Sequence, residues 1–420
     1  MLRGGPPGYR RSMLRNRSLA ALLAAELVST TGIQMTFVAL PWFVLVTTGS
    51  VARMSYVLAA EVVPIALFGI PSGSVVGRLG GRRTMLLSDL ARTPLMVLVP
   101  VLHWTGALSF GALLAIVFVV GLFSAPYFAA QRTILPELFG DDQTVVSQAS
   151  AIFSGTTHVT MIAGPALGGV LVAWLGAPTV LLVDAVSYVV AFCIVLLFVS
   201  AGARLPVDED ARGLLAGVRY LARDPVLGPL TLTVILLDTA FAALLLSMPA
   251  LAFVRYDRDP HVAGWLFAIF GVGALVGSLL AMRLLGRMAP LRLAAVGVVA
   301  AALPIWTLVV RMPWWGVGVA LGACAVFIPL VNAPGMGLIT TRPPAALRAK
   351  VMTAVMTASA LGGPVGRVAV GPLFDHLGIS ATYAVVAGAL TAGAVAFAAV
   401  ALTQARREQE AQPLPASGLA

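Results

Sequence analysis

The sequence has 420 residues, of which 59% are hydrophobic and 10% are charged. Soluble domains carry roughly 25% charged residues, so this composition excludes a soluble globular protein. Lysine and arginine outnumber aspartate and glutamate by 27 to 17, which gives a net charge of +10. The positive residues lie mostly between apolar runs, and this pattern indicates loops beside a membrane rather than a nucleic-acid surface.

Residue patterns for catalysis or metal binding are scarce. The chain has four histidines and shows no HExxH, GxSxG, Walker or paired-aspartate motif. Cys193 and Cys324 lie in apolar segments without a CxxC spacing, so we expect neither a disulfide framework nor a metal site. We therefore expect no cofactor and no enzymatic activity. A membrane enzyme acting on lipids is a remote alternative.

Long apolar stretches predict the fold class. A hydrocarbon core of about 30 Å requires about 20 apolar residues in a helix, and the sequence has twelve such stretches, which predicts an all-α membrane protein. The first stretch follows basic residues, as in a signal peptide, but it is too long for one and contains Glu26. In chain order the stretches are approximately 19–47, 55–77, 84–103, 107–129, 146–175, 178–201, 226–254, 262–282, 291–310, 316–339, 351–374 and 379–403.

Two predicted connections are longer than the others, at 130–145 and 202–225. The second begins with an acidic cluster and continues with an apolar-periodic run from Leu214 to Leu221, which predicts a linker with an interfacial helix. It divides six helices from six. The predicted organisation is a cytoplasmic tail at 1–18, a six-helix bundle at 19–201, the linker at 202–225, a pseudo-symmetric six-helix bundle at 226–403 and a second cytoplasmic tail at 404–420.

Loop charges predict the orientation in the membrane, because positively charged loops resist translocation. Alternate connections on the side of both termini contain 21 lysines and arginines, whereas the opposite side contains four. We therefore expect both termini in the cytoplasm of a bacterial cell and a multi-pass chain in its inner membrane.

A short basic sequence occurs twice. The sequence GRLGGRR at 77–83 follows the second apolar stretch, and MRLLGRM at 282–288 follows the eighth, with Arg78 and Arg283 separated by 205 positions. Internal duplication in an apolar chain is typical of transporters built from two similar halves.

Three groups of residues carry a resemblance to a known family. The loop residues resemble the cytoplasmic loop signature of the major facilitator superfamily, and the glycines and proline of the fifth stretch resemble the core of the antiporter motif of its exporters. The phrases ALPW at 39–42 and LPEL at 135–138 are similar to a drug and siderophore exporter branch that includes enterobactin-type exporters. The resemblance implies two six-helix bundles around a central cavity with alternating access. The residues concerned are Gly73, Gly77, Arg78, Gly80, Arg82 and Arg83 in the loop, and Gly164, Pro165, Gly168 and Gly169 in the fifth stretch.

The loop departs from the family pattern at one position. The family usually has an aspartate before the first arginine of the loop, where this chain has Gly77. The resemblance assigns that acid to a charge network between the domains. Asp89 and Arg92 lie one helical turn apart near the same membrane face, so either could partner the loop arginines. The alternative is that they pair with each other.

Glycines recur every four residues on several predicted helices, and such faces allow close approach of helix backbones. On the fifth and eleventh stretches a hinge is the alternative, because prolines beside the glycines remove backbone hydrogen bonds. The glycine series are Gly69, Gly73 and Gly77; Gly164 and Gly168; Gly273 and Gly277; and Gly362 and Gly366.

Ionisable groups inside a membrane usually face a cavity or a partner, so they are candidate functional residues. Asp238 lies about 12 residues into the seventh stretch, roughly 18 Å along a helix and thus near the membrane centre. It is the first candidate for proton coupling. The alternative is a permanently hydrogen-bonded aspartate that fixes a helix contact.

The first predicted helix carries Glu26, Thr30, Gln34 and Phe37 at spacings of three or four, and we expect this face to line the cavity. Glu26 is a second proton-coupling candidate, with snorkelling to the cytoplasmic interface as its alternative. Glu61, near the outer end of the second helix, is a weaker candidate for substrate or proton contact.

Four further residues complete the candidate site. His158 is a possible proton carrier, because histidine titrates near neutral pH, or else a buried side chain bonded to a hydroxyl. Met161 lies on the same helix face. Arg367 is always charged and needs an acid, carbonyl groups or an anionic substrate, and both Asp238 and Glu61 are candidates for its partner. Asn332 is a further cavity candidate, with packing as the alternative.

Together these features predict a secondary transporter that acts as a proton antiporter for the efflux of an amphipathic small molecule, such as a drug, siderophore or natural product. An importer or facilitator of a small metabolite is the alternative. The expected partners are the substrate, protons and the lipid bilayer, and not nucleic acid. The family resemblance implies a monomer.

Overall fold

The computed structural model describes residues 17–139, 143–200, 211–344 and 347–410, and all regular structure in these ranges is helical. A 3₁₀-helix of seven residues at Leu303–Val309 follows directly after the tenth helix. The helices are α1 (Arg17–Thr48), α2 (Val51–Leu79), α3 (Gly81–Trp104), α4 (Phe110–Phe139), α5 (Gln143–Leu175), α6 (Ala177–Phe198), α7 (Ala211–Arg223), α8 (Leu227–Arg255), α9 (Pro260–Leu284), α10 (Pro290–Ala302), α11 (Trp314–Thr341) and α12 (Arg348–Glu410).

The described helices account for the predicted membrane crossings. Eleven of them are long and apolar enough to cross a membrane, and the last apolar span runs from Lys350 to Gln404. Gly378 interrupts this span with a φ of 76° and a ψ of 173°, a conformation that glycine adopts without the penalty that a Cβ would bring. The break falls between the stretches predicted at 351–374 and 379–403, so the span counts as two crossings. The prediction of an all-α membrane protein with twelve transmembrane helices is confirmed.

The predicted connection at 130–145 is wrong over most of its length. Helix α4 continues to Phe139, and α5 already begins at Gln143. The extension is stable because Ile134 and Leu135 are buried in a core cluster that also contains Leu19 of α1. Pro136 lies inside the helix without ending it.

Helix α7 forms within the predicted linker and has 13 residues, too few to cross a membrane. Its Leu221 packs in a buried cluster with Leu227 and Val351. A Cβ on Gly217 would lie 2.3 Å from the carbonyl oxygen of Lys350, so the absence of a side chain lets α7 lie directly on the start of α12.

By internal contacts the chain divides into two compact units. The first comprises Met1–Glu209 and Ser247–Ala268, and the second comprises Asp210–Leu246 and Ile269–Ala420. In the first unit α1 packs on α5 and α6, α2 packs on α4, and α3 packs on α4 and α6. In the second unit α10 packs on α11 and α12. The boundaries of two bundles at 19–201 and 226–403 remain a prediction.

Glycines set the spacing of several helix pairs. A Cβ on Gly168 of α5 would lie 2.9 Å from the backbone of Met35 in α1, and one on Gly277 of α9 would lie 2.1 Å from the carbonyl oxygen of Val326 in α11. These glycines therefore permit backbone contacts that a larger residue would prevent. In the described part of the chain nothing lies within 4 Å of a Cβ on Gly69 or Gly73, so the expected close packing is not found there.

Candidate functional site

The second unit contains a cavity of about 160 Å³ whose wall is formed by α8, α10, α11 and α12. Most of its lining is apolar, with Phe241 and Ile328 among the largest side chains. Asp238 and Asn332, two residues predicted from the sequence, both line it, and so does Cys324. A carboxyl group and an amide therefore share one otherwise apolar cavity.

Close packing of α12 on α8 supports the position of Asp238. A Cβ on Gly366 would lie 2.0 Å from the carbonyl oxygen of Thr239, and one on Gly362 would lie 2.8 Å from that of Ile235. Ser359 lies one turn before Gly362 and hydrogen-bonds the Asp238 side chain. The glycines thus bring the α12 backbone close enough for a short serine side chain to reach the carboxyl group.

The first unit contains a set of buried polar residues on α1, α3, α4 and α6, which we call the Arg92 centre and define as Glu26, Asp89, Arg92, Tyr127, Asp184 and Tyr188. Arg92 donates from Nη2 to Oδ1 of Asp89 at 2.5 Å, and both side chains are fully buried. The guanidinium carbon lies 4.0 Å from the ring centroid of Tyr127 and 4.5 Å from that of Tyr188. Arg92 is therefore held by one carboxylate and two aromatic faces.

The two other acids of the centre accept hydrogen bonds from neighbouring side chains. Thr30 Oγ1 and Gln131 Nε2 donate to the two carboxyl oxygens of Glu26 at 2.7 and 2.6 Å. Asp184 Oδ2 accepts from Thr36 Oγ1 at 2.7 Å and from the Tyr188 hydroxyl at 3.0 Å. Glu26 is only 2% exposed, so its side chain is buried within the first unit.

Some polar atoms of the centre lack a partner. Within the part of the chain that the structure describes, Asp89 Oδ2 and the Nε and Nη1 atoms of Arg92 are buried and make no hydrogen bond. Arg92 therefore retains donors for a second acceptor, and Asp89 retains one free carboxyl oxygen.

The loop between α2 and α3 is held by residues from two other helices. Gly80 has a φ of 83°, and the Gly81 N–H points at Glu137 of α4, with 2.9 Å to each carboxylate oxygen. Arg82 Nη2 donates to the carbonyl oxygen of Leu196 near the end of α6 at 2.7 Å. Arg78 and Arg83 are exposed. Asp89, the candidate partner for these arginines, instead pairs with Arg92.

The remaining predicted residues occupy varied positions in the first unit. Gln34 lies against Gly164, at the crossing of α1 and α5. Phe37 packs edge-on against Phe267 with 5.7 Å between ring centroids. Met161 is exposed, and the side chain of His158 lies outside the described residues.

Other predicted residues lie at helix contacts or in the second unit. The carbonyl oxygen of Glu61 faces Gly121 of α4, and a Cβ on Gly169 would meet the Gly264 backbone at 2.7 Å. Pro165 is buried beside Gly164 in α5, and Gly77 lies near the end of α2. Arg367 is half-buried in α12, next to Gly366.

Two acids of these sites are not among the residues predicted from the sequence. Asp184 lies inside an apolar stretch, as Asp238 does, so the same pattern could have selected it from the sequence. Glu137 lies within the phrase LPEL, but no pattern in the sequence connects it with Gly81.

Comparison with known proteins agrees with this architecture. Residues 11–418 match the family model described as transmembrane secretion effector. The multidrug efflux pump Tap of Mycolicibacterium fortuitum is 30% identical over 390 residues, which cover 87% of this chain and 91% of that protein. Tap of Mycobacterium tuberculosis H37Rv is 27% identical, with 88% and 90% covered.

Solved structures show the same fold at lower identity. The crystal structure of the nucleoside transporter NupG superposes with a TM-score of 0.74 at 13% identity, covering 91% of this chain and 98% of that chain. The family model and the sequence relatives match most of the chain, so they assign it to a family and not only to a fold. The chain is therefore a multi-pass membrane transporter that belongs to the transmembrane secretion effector family, in the drug exporter branch of the major facilitator superfamily.

Proposed function

We propose that this transporter exports an amphipathic small molecule from the cytoplasm in exchange for protons, by alternating access. The observation that carries the proposal is the carboxyl group of Asp238 on the wall of a largely apolar cavity. The similarity to two proteins named multidrug efflux pumps supports export of a drug-like compound.

The cavity lining fits such a substrate. Ligand pockets combine apolar walls with a few polar groups that fix orientation. Here Phe241 and its apolar neighbours accommodate the apolar part of a ligand, while Asn332 and Asp238 receive its polar part. A carboxylate is costly inside a membrane unless it is neutralised. A proton and the polar end of the ligand therefore compete for Asp238, and this competition couples their movements.

The orientation follows from the loop charges. The connections on the side of both termini contain most of the lysines and arginines, so we place both termini in the cytoplasm and the chain in the bacterial inner membrane. In this orientation the loop with Arg78, Arg82 and Arg83 is cytoplasmic. The two six-helix bundles at 19–201 and 226–403 supply the two halves of the alternating-access cycle.

The proposal is tested with purified protein in proteoliposomes and the amphipathic dye ethidium as the probe. An imposed pH gradient with an acidic interior should drive dye into vesicles that contain inverted transporters. Asp238→Asn should abolish the response to the gradient, and Asn332→Ala should weaken dye accumulation. Asp375→Asn, the same chemical change at an exposed position on α12, is the matched control.

The possible outcomes separate the parts of the proposal. Full gradient-driven accumulation by Asp238→Asn would overturn the role of Asp238. If the wild type moves dye only down the dye's own concentration gradient, with no response to the pH gradient, proton exchange would be overturned. That result would indicate a facilitator.

A further inference from the structure

The exposed face of α7 carries arginines and no acid. In the described part of this helix the exposed residues are Val218, Arg219, Ala222 and Arg223. Successive residues of a helix are about 100° apart, so these four form one continuous face. Val218 is 49% exposed, which places an apolar side chain beside the two guanidinium groups. The whole helix contains three arginines and neither aspartate nor glutamate.

The opposite face of α7 fixes the depth of the helix in the membrane. Leu221 packs with Leu227, the first residue of α8, and with Val351 near the start of α12. A Cβ on Gly217 would collide with the carbonyl oxygen of Lys350, where the last apolar span begins. Helix α7 therefore lies at the ends of two membrane spans. Lipid headgroups occupy this depth, directly outside the hydrocarbon core.

The acid that follows α7 in the chain is already paired. The carboxylate of Asp224 lies 3.0 Å from Nε of Arg342 and also accepts from two backbone N–H groups at the start of α8. Within the described ranges Arg219 and Arg223 make neither a hydrogen bond nor an ion pair. Their charges are therefore available to an external anion.

We propose that the exposed face of α7 binds the headgroup of an anionic phospholipid, with Arg219 and Arg223 on the phosphate and Val218 beside the start of an acyl chain. Side chains four positions apart on a helix are neighbours, with about 5–6 Å between their Cβ atoms, so both guanidinium groups reach one phosphate. Arginine binds phosphate through two parallel N–H donors.

The surroundings favour a lipid over a free anion. The two arginines lie at headgroup depth, and basic residues beside a membrane span attract anionic lipids. A soluble anion would use the guanidinium groups alone, whereas a lipid also covers the exposed side chain of Val218. A bound lipid would anchor the linker helix to the bilayer, while Leu221 anchors it to the second unit. This site is independent of the transported substrate and of proton exchange.

Native mass spectrometry of the purified full chain tests the site, because it counts the lipids bound during a titration with phosphatidylglycerol. Each arginine near an anionic lipid surface changes the affinity about fivefold. The Kd of one phosphatidylglycerol should therefore rise about fivefold in Arg219→Gln and about thirtyfold when Arg223→Gln is added. Zwitterionic phosphatidylcholine should bind the wild type more weakly, and its affinity should not respond to these substitutions.

Two further variants separate the site from diffuse attraction and from folding defects. Arg53→Gln with Arg311→Gln removes the same charge from two exposed positions in connections predicted on the opposite side of the membrane, and phosphatidylglycerol should bind this control as it binds the wild type. Arg219→Lys with Arg223→Lys keeps both charges but loses the paired donors, so its affinity should lie between those of the wild type and the double glutamine variant. An equal loss of affinity in the control would overturn the site on α7.

Three other results would also overturn the lipid assignment. The first is equal affinity of the wild type for phosphatidylglycerol and phosphatidylcholine. The second is displacement of the bound lipid by inorganic phosphate at the same concentration, which would show that the arginines hold a free anion. The third concerns the acidic cluster at 208–210, which precedes α7 in the sequence. If lipid bound only after Asp208→Asn, Glu209→Gln and Asp210→Asn, these acids would be the partners of the arginines. Gradient-driven dye transport would stand in each case.

Discussion

Arg92 and Asp89 form an ion pair within one turn of α3, with 2.5 Å between Nη2 and Oδ1 and both side chains fully buried. The pair is therefore part of the interior of the first unit. In this arrangement the described partner of Asp89 is Arg92, while the loop residues Arg78 and Arg83 are exposed.

Arg92→Gln should lower the free energy of unfolding by at least about 2 kcal/mol, because a desolvated cation–π contact contributes about that much and Arg92 makes two. Reversible unfolding in mixed SDS micelles measures the change. Arg92→Lys keeps the charge but loses the planar guanidinium that stacks between the rings, so its stability should be intermediate. Wild-type stability in Arg92→Gln would contradict this account.

Glu137 should stabilise the loop through the N-terminus of α3, where its carboxylate lies 2.9 Å from the Gly81 nitrogen. Glu137→Gln keeps an acceptor but loses the charge, which is worth about 0.3–1 kcal/mol beside a helix N-terminus. Glu137→Ala also leaves the N–H without its acceptor, which adds about 1–3 kcal/mol. The same unfolding assay should give a lower free energy of unfolding for Glu137→Ala than for Glu137→Gln. Equal stability of the two would show that the hydrogen bond contributes little.

The parts of the fold that were predictable from sequence depend on local patterns. Apolar length predicts the crossings, and the separation of two stretches around Gly378 agrees with the break in the last span. Asp238 and Asn332 were each selected as polar groups inside apolar stretches, and the structure places them on one cavity.

The parts that were not predictable depend on contacts between distant positions. The bond from Thr36 to Asp184 joins residues 148 positions apart, and that from Gly81 to Glu137 joins residues 56 apart. No periodicity encodes such pairs. Glycine spacing predicts helix packing only in part, because it indicates a helix face without side chains but not whether another helix packs against that face. Gly366 contacts the α8 backbone, whereas in the described structure nothing lies within 4 Å of a Cβ on Gly73.

Two glycines of α12 provide a matched test of helix packing. A Cβ on Gly366 would lie 2.0 Å from the carbonyl oxygen of Thr239, while one on Gly363 has no described atom within 4 Å. Gly366→Ala should destabilise the protein by about 1–3 kcal/mol through overpacking and displace Ser359 from Asp238, so transport should fall as well. Gly363→Ala should be neutral or stabilising by up to about 1 kcal/mol, because alanine favours the helix. Equal effects at the two positions would contradict the described crossing.

Asp224 should make stability depend on pH in the acidic range. It accepts from the Leu227 N–H at 2.8 Å at the start of α8 and from Arg342 Nε at 3.0 Å. Burial alone would raise its pKa, but these bonds and the Val226 N–H lower the pKa below the ordinary value for aspartate. A lowered folded-state pKa gives stability that is complete above the unfolded-state pKa and is lost as pH falls through the folded-state value.

The wild type should therefore lose its advantage over Asp224→Asn as pH falls from about 6 to about 3, a window that brackets the ordinary aspartate pKa. At pH 6 the variant should be less stable by about 1 kcal/mol, the usual contribution of a helix-capping acid. Melting curves of both proteins across this range measure the difference. A stability gap that stays constant over the whole range would rule out the linkage.

Cys324 offers a direct test of the cavity as the ligand site. Its thiol lines the cavity with Asp238, whereas Cys193 on α6 is exposed. Bound dye should therefore shield Cys324 from alkylation by N-ethylmaleimide. At ten times its Kd, ethidium should slow the reaction by about tenfold, because only about one protein in eleven is then free.

A Cys193→Ser variant isolates the signal of Cys324, and a Cys324→Ser variant reports on Cys193, whose rate should not respond to dye. An unchanged rate at Cys324 under saturating dye would place the ligand elsewhere, and it would remove the cavity from the proposed transport route.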